Sequence, residues 1–176
     1  MRAVTFLVGG VRSGKSTLAV EIGKRHDGDV VFVATSDPFD DDLRARVARH
    51  RDERPAWPTV EAPVELAAAI ASIDHDALVI VDCITVWVNN LLHAGDTPGN
   101  VLCRTRHLLD CLRSRTGSAV VVGNEVGMGV HPSSELGRSY RDLLGSVNQV
   151  IAGAADRSLL LVAGRALPLA DPWDVL

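Results

Sequence analysis

The sequence predicts an α/β fold with a mostly parallel sheet covered by helices on both faces. Three observations carry that expectation. Short apolar runs rich in Val, Ile and Leu recur along the chain without polar alternation, as strands buried on both faces require. Helical patterns separate these runs in regular order. Between the first run and the first helical pattern lies Gly9-Gly10-Val11-Arg12-Ser13-Gly14-Lys15-Ser16, which reads G-x-x-x-x-G-K-S. A strand, this loop and a helix together form the setting of a phosphate-binding loop. The predicted architecture is therefore P-loop NTPase-like, in one domain spanning residues 1–176.

Composition bounds the partners. Hydrophobic residues make up 47% and charged residues 23% of the chain, as in globular proteins, and aromatics only 4%, so the core should be aliphatic. The net charge of −4 with no basic block argues against an extended nucleic-acid footprint. No apolar run reaches the length of a membrane span. The first strand follows directly on Met1 and Arg2, which leaves no room for a secretory signal and predicts a cytoplasmic protein. Cys83, Cys103 and Cys111 lack C-x-x-C spacing and read as reduced, structural thiols.

Each element has a local cause. Ala3 to Val8 is the first strand, and Ser16 to Arg25 the first helix, with Leu18, Ala19 and Ile22 facing inward. In the loop between them, glycines let backbone N–H groups converge on phosphate oxygens. Lys15 brings a positive charge to the β- and γ-phosphates, and the Ser16 hydroxyl is a hard ligand for Mg²⁺. Val30 to Ala34 is a second strand; Thr35, Ser36 and Asp37 follow at its carboxyl end, where open parallel sheets bind ligands. For Ser36 and Asp37 a helix-capping role stands equally open. Asp40 to Arg54 is predicted helical, with acids in the first turn and arginines later. Arg46, His50 and Arg54 share one face of it at i, i+4 and i+8. An imidazole between guanidinium groups can attack phosphorus beside a triphosphate, although the residues alone fit a solvated arginine-rich helix better.

Pro55, Pro58 and Pro63 bracket the short extended segment Thr59 to Glu61, and Val64 to Ile73 reads as an alanine-rich helix. Ala77 to Asp82 is an apolar strand closing on an acid, the form of a Walker-B strand, which places Asp82 at Mg²⁺ beside Lys15 and Ser16. Helices follow at Ile84–His93 and Val101–Arg115, with Leu102, Leu108, Leu109 and Leu112 as core. The strand Ser118 to Gly123 leads into the glycine-rich stretch Asn124 to Gly129. A last long helix, Ser133 to Ala155, turns Leu136, Tyr140, Leu143, Leu144, Val147 and Ile151 inward. Ser158 to Ala163 is a fifth buried strand, and the proline-bearing tail from Arg165 is expected to be irregular.

With the series laid out, the chain resembles the bifunctional adenosylcobinamide kinase/adenosylcobinamide-phosphate guanylyltransferase family of cobalamin assembly. The motifs that carry the resemblance run from about Val4 to Gly164. They are the phosphate loop, Ala34-Thr35-Ser36, Arg46-Val47-Ala48-Arg49-His50-Arg51, Arg54-Pro55 with Trp57, Thr59, Glu61 and Pro63, Asp82-Cys83-Ile84-Thr85 with Trp87, Asn90, Leu91 and Leu92, Asn124 to Gly129, and Arg138, Arg141-Asp142, Gly145, Asn148-Gln149 and Asp156.

The resemblance implies phosphorylation of adenosylcobinamide by a nucleoside triphosphate, ATP or GTP, followed by transfer of GMP from GTP to adenosylcobinamide phosphate with release of pyrophosphate. It implies a GMP-histidine intermediate at His50 and Lys15 as the catalytic cation. It implies nucleotide contacts from Gly9, Gly10, Val11, Arg12, Ser13, Gly14, Lys15, Ser16, Ala34, Thr35, Ser36, Arg51, Asp52, Glu53, Arg54, Glu61 and Asp82, with Mg²⁺ on Ser16 and Asp82. A homotrimer is implied likewise. Three departures stand out. Arg49 precedes His50 where some relatives carry a second histidine, Asp82 stands where some carry Glu, and the tail from Ala166 to Leu176 lacks the family's lysine-bearing close. Four other readings compete: guanylyl transfer without the kinase step, a phosphate-loop kinase of another metabolite, a GTP-binding switch, and a nucleic-acid-dependent ATPase. The switch reading lacks an N-K-x-D motif.

Overall fold

A computed structural model describes residues 2–36 and 54–176; the predicted helix 40–54, with Arg46, Arg49, His50, Arg51, Asp52 and Glu53, lies outside the described residues except for Arg54. Among the described residues seven strands form one sheet in the order β3-β2-β4-β5-β1-β6-β7. They are β1 Val4–Gly9, β2 Val30–Ala34, β3 Thr59–Glu61, β4 Leu78–Asp82, β5 Ala119–Asn124, β6 Arg157–Val162 and β7 Arg165–Leu169. All pairings are parallel except β6 with β7. The helices are α1 Lys15–Lys24, α2 Leu66–Ala71, α3 Ile84–His93, α4 Pro98–Ser114, α5 Glu135–Ala154 and the short α6 Pro172–Val175.

The continuous apolar strands sort their residues by strict alternation onto two faces. Val4, Phe6, Val8, Val79, Val81, Ala119 and Val121 join the larger core, built with Leu66 and Ile70 of α2, Trp87 and Leu91 of α3, Leu108 and Leu112 of α4, and Leu144, Val147 and Ile151 of α5. Leu7, Leu78, Ile80, Val120 and Val122 join the smaller core, covered by Ala19 with Leu18 and Ile22 of α1 and by Trp57. Both faces carry helices, as a parallel sheet demands. All three cysteines are free. Among the described residues, no helix is long and apolar enough to cross a membrane.

Three expectations need correction. The tail is ordered: Ala163 and Gly164 form a two-residue turn with φ of 50° and 73°, and Arg165–Leu169 returns antiparallel to β6. Positive φ at both central positions is the geometry that matches strand twist in a tight hairpin, and Pro168 is tolerated because β7 is an edge strand. β6 is only partly buried, since just Ser158 and Leu161 are fully covered. Leu136 is exposed rather than inward, because it sits in the first turn of α5, ahead of the point where the helix meets the sheet. In addition, α4 starts earlier than Val101, with Thr97 as N-cap and Pro98 in the first turn, a favoured pairing at helix starts.

Candidate active site at the carboxyl edge of the sheet

Parallel strands end together, and the predicted site residues stand at those ends. Glu61, Ala34 and Asp82 form one row across β3, β2 and β4. On the far side of β5 from β4, Gly9 closes β1 in register with Asn124, and the phosphate loop leaves the sheet there. The loop glycines are set by close approach. A Cβ at Gly9 would meet the Leu161 carbonyl at 2.3 Å, and Gly14 combines φ of 101° with a neighbouring Gly164 Cα that a Cβ would meet at 3.3 Å. Gly10 faces open space, and Val11 and Arg12 are exposed.

Gly14 is the N-cap of α1, and neither it nor any other side chain caps that helix; the first turn carries no acid. The orphan N–H groups and the positive dipole end of α1 are left for an anion. Lys15 is buried, its ammonium donating to the Gly10 carbonyl at 2.6 Å and to Ser13 Oγ at 3.3 Å. Burial lowers its pKa below the ordinary lysine value, against the opposing pull of negative charge nearby. Of the two acids beside it, Cys83 is pushed up to about 12 by burial and by Asp82, so its thiol stays neutral and Asp82 supplies the charge.

Ser16 and Asp82 line one cleft of ≈ 310 Å³ with Thr17, Val20, Glu21, Lys24 and Phe32. A hydroxyl and a carboxylate converging beside the phosphate loop are the hard oxygen pair that suits Mg²⁺, so the residues present fit that ion. Among the described residues no larger cluster of His, Cys, Asp and Glu could hold a metal. Arg54 stacks its guanidinium 3.7 Å from the Phe32 ring centroid and donates to Thr59 Oγ1 at 2.9 Å. This fixes the one described arginine of the predicted arginine-rich helix over a residue that lines the cleft.

Thr35 serves the site from beneath it. It is fully buried, donating from Oγ1 to the Cys83 carbonyl at 2.7 Å and accepting from the Cys83 N–H at 2.9 Å. Its side chain is thus committed to holding the end of β4, where the sequence reading had placed it at the nucleotide. Asn90 of α3 completes the clamp by donating to the Thr35 carbonyl at 2.7 Å and the Pro63 carbonyl at 3.0 Å. Ser36 is half-buried next to Thr35, and Glu61 is exposed. His50, Arg51, Asp52 and Glu53 lie outside the described residues, so their distance from the cleft is not part of this geometry.

Sequence reasoning missed Thr17, Val20, Phe32, Glu21 and Lys24 as cleft lining. Thr17 and Val20 follow the motif at helical spacing and were legible in principle, whereas Phe32 read as plain core.

A family model described as cobinamide kinase / cobinamide phosphate guanyltransferase matches residues 5–169. The chain belongs to that family. It is 39% identical over 165 residues to the bifunctional adenosylcobalamin biosynthesis protein CobP of Pseudomonas aeruginosa, covering 93% of this chain and 95% of that protein. It is 37% identical over 172 residues to the bifunctional adenosylcobalamin biosynthesis protein CobU of Escherichia coli, covering 90% and 94%. Among solved structures, a type III secretion ATPase superposes with a TM-score of 0.59 at 13% identity over 91% of this chain and about half, 51%, of its own. The RadB recombinase superposes with a TM-score of 0.55 at 19% identity, covering 90% of this chain and 73% of its own. These two establish the phosphate-loop NTPase fold alone. Fold and family together imply that this kinase/guanyltransferase family member binds nucleotide.

Proposed function

We propose that this chain phosphorylates the hydroxyl of adenosylcobinamide with ATP or GTP. It then transfers GMP from GTP to the resulting phosphate, giving adenosylcobinamide-GDP and pyrophosphate. The observation that carries this reading is the convergence of Lys15, Ser16 and Asp82 at one uncapped helix end, in a chain of this family.

The first step needs positioning and charge neutralisation more than covalent chemistry. Loop N–H groups from Gly9 to Ser16 and the Lys15 ammonium hold the β- and γ-phosphates. Ser16 and Asp82 would hold Mg²⁺, which screens the phosphate oxygens when bound. Ala34, Ser36, Arg54 and Glu61 line the rest of the nucleotide path, joined by Arg51, Asp52 and Glu53. In the second step a neutral His50 attacks the α-phosphorus, the bond to pyrophosphate breaks, and the corrinoid phosphate then displaces the histidine. Arg49 in place of a second histidine leaves His50 as the single nucleophile of that segment. The same resemblance supports a single-domain, cytoplasmic protein that assembles as a homotrimer.

The deciding experiment is intact mass after incubation with GTP and Mg²⁺, denatured without acid because a phosphoramidate is acid-labile. Wild type should gain one GMP and His50→Asn should gain none. An adduct on the variant would remove His50 from the mechanism. No adduct on either, with triphosphate binding intact, would favour a phosphate-loop kinase or a GTP switch.

A further inference from the structure

The β6–β7 hairpin presses on the phosphate loop at three points. The Leu161 carbonyl lies beneath Gly9, so close that a Cβ there would approach it to 2.3 Å. The Gly164 N–H donates to the Ser13 carbonyl at 2.9 Å. The Gly164 Cα packs against Gly14, where a Cβ would stand 3.3 Å away. First glycine, middle and second glycine of the motif are each touched by a segment about 150 residues further along the chain. The glycines therefore accommodate this hairpin as well as a phosphate.

A second observation points the same way. Among the described residues, only Arg12 and Ala163 are non-glycine residues with positive φ, at 56° and 50°. One lies in the loop and the other in the turn that touches it. A left-handed alanine costs about 1–2 kcal/mol, and such positions persist where the surrounding structure over-determines them, often at functional sites. Nothing surrounds Gly164 that a Cβ would meet, so that position requires glycine only for its φ of 73°. The turn's shape, not packing around it, is what is being specified.

We propose that the Ala163-Gly164 turn is a positioning element for phosphate binding. It fixes the Ser13 carbonyl and so keeps the loop N–H groups convergent before the triphosphate arrives. In a preorganised loop the ordering cost is already met, so affinity for phosphate rises without any contact between turn and ligand. Exchange at the turn should respond to phosphate occupancy, because turn and loop share a hydrogen bond.

Two variants and one wild-type measurement test this. A β-branched side chain is strongly disfavoured at positive φ, so Gly164→Val should displace the turn and break the bond to Ser13. Ala163→Asn suits the turn better than alanine. GTP and inorganic tripolyphosphate should each bind Gly164→Val about tenfold more weakly, the effect of one hydrogen bond and the order it imposes. Ala163→Asn should bind both at least as tightly as wild type. Hydrogen exchange on wild type should show residues 163–165 gaining protection with the same tripolyphosphate dependence as residues 9–16, a readout that survives even if Gly164→Val fails to fold. A folded Gly164→Val with unchanged tripolyphosphate affinity, or a turn whose exchange ignores tripolyphosphate, would overturn the proposal alone. A wild type that binds neither ligand would overturn the nucleotide reading of the loop on which it rests.

Discussion

The two edges of the sheet solve opposite problems. At the amino edge the chain answers most of its own buried polar groups, although Arg115 Nε and Ser158 Oγ have no hydrogen-bond partner among the described residues. Arg115 is buried and donates to four carbonyls, those of Ile70 and Ile73 at 3.2 and 3.1 Å and of Asp74 and Ala77 at 2.5 and 3.0 Å. Asp156 accepts from the Val4 N–H at 2.7 Å while its own N–H donates to the Val4 carbonyl at 2.9 Å, and Ser118 Oγ accepts from the Ala3 N–H at 3.2 Å. At the carboxyl edge the pattern reverses. Helices α1 and α3 begin there without side-chain caps, a lysine is buried against the pull of water, and non-glycine backbone is held at positive φ. Groups left unanswered by the chain are the ones a ligand can answer. On the proposed function, stability resides at one edge and binding at the other.

That division predicts that variants at the two edges fail differently. Arg115→Met should give the largest effect. It strips donors from the end of α2 and the turn into β4, and losses of about 3–5 kcal/mol follow when a buried charged hydrogen-bonding group is removed. Tm should fall by on the order of 10 °C, while the GTP affinity of the folded protein stays at wild type, as calorimetry on the folded fraction would show. A fall in affinity larger than the loss of folded protein would join the two edges after all.

Lys15→Met should do the reverse. Losing a charge-assisted contact to phosphate should weaken GTP on the order of 100-fold, and Tm should hold or rise because a desolvated ammonium has gone. The sign of its pH dependence follows from the lowered pKa. The unfolded chain holds this proton more tightly than the folded one, so Lys15 contributes stability that grows as pH rises from the lowered value towards the ordinary lysine value. That alkaline rise should vanish in Lys15→Met. A Tm loss comparable to that of Arg115→Met would show that the lysine holds the fold together.

Local signals made the carboxyl edge readable in advance. The loop motif, the acid closing β4 and the carboxylate closing β3 are each written within a few residues, and parallel strands bring their ends into one row whatever the strand order. What escaped depends on that order. The contact of Gly164 with Ser13 exists because β6 lies beside β1, a neighbour that no sequence spacing announces. Thr35 was legible as a strand-end hydroxyl, but not as one turned inward to Cys83. Arg115 reads as a cation at the end of its own helix, yet it serves the carbonyls of a different one. The arginine and histidine face of the segment 40–54 rests on spacing and resemblance and lies outside the described residues.

The smallest effect tests the capping contrast itself. Helix α5 starts with Ser134, whose Oγ accepts from the Gly137 N–H at 3.1 Å, whereas α1 starts with Gly14 and no such acceptor. Ser134→Ala should cost about 1 kcal/mol and lower Tm by roughly 2–4 °C, because the Gly137 N–H then exchanges an intrachain acceptor for water. On the proposed function, phosphate takes the equivalent role at α1. Saturating GTP, at about 100 times its Kd, should stabilise wild type and Ser134→Ala equally, by roughly 2.7 kcal/mol. Thermal shifts with and without GTP measure both quantities in one experiment. If the cap at α5 were coupled to the loop, the GTP-induced shift would shrink in Ser134→Ala, and the separation of a helix start capped by its own side chain from one left for a ligand would fail where it is easiest to see.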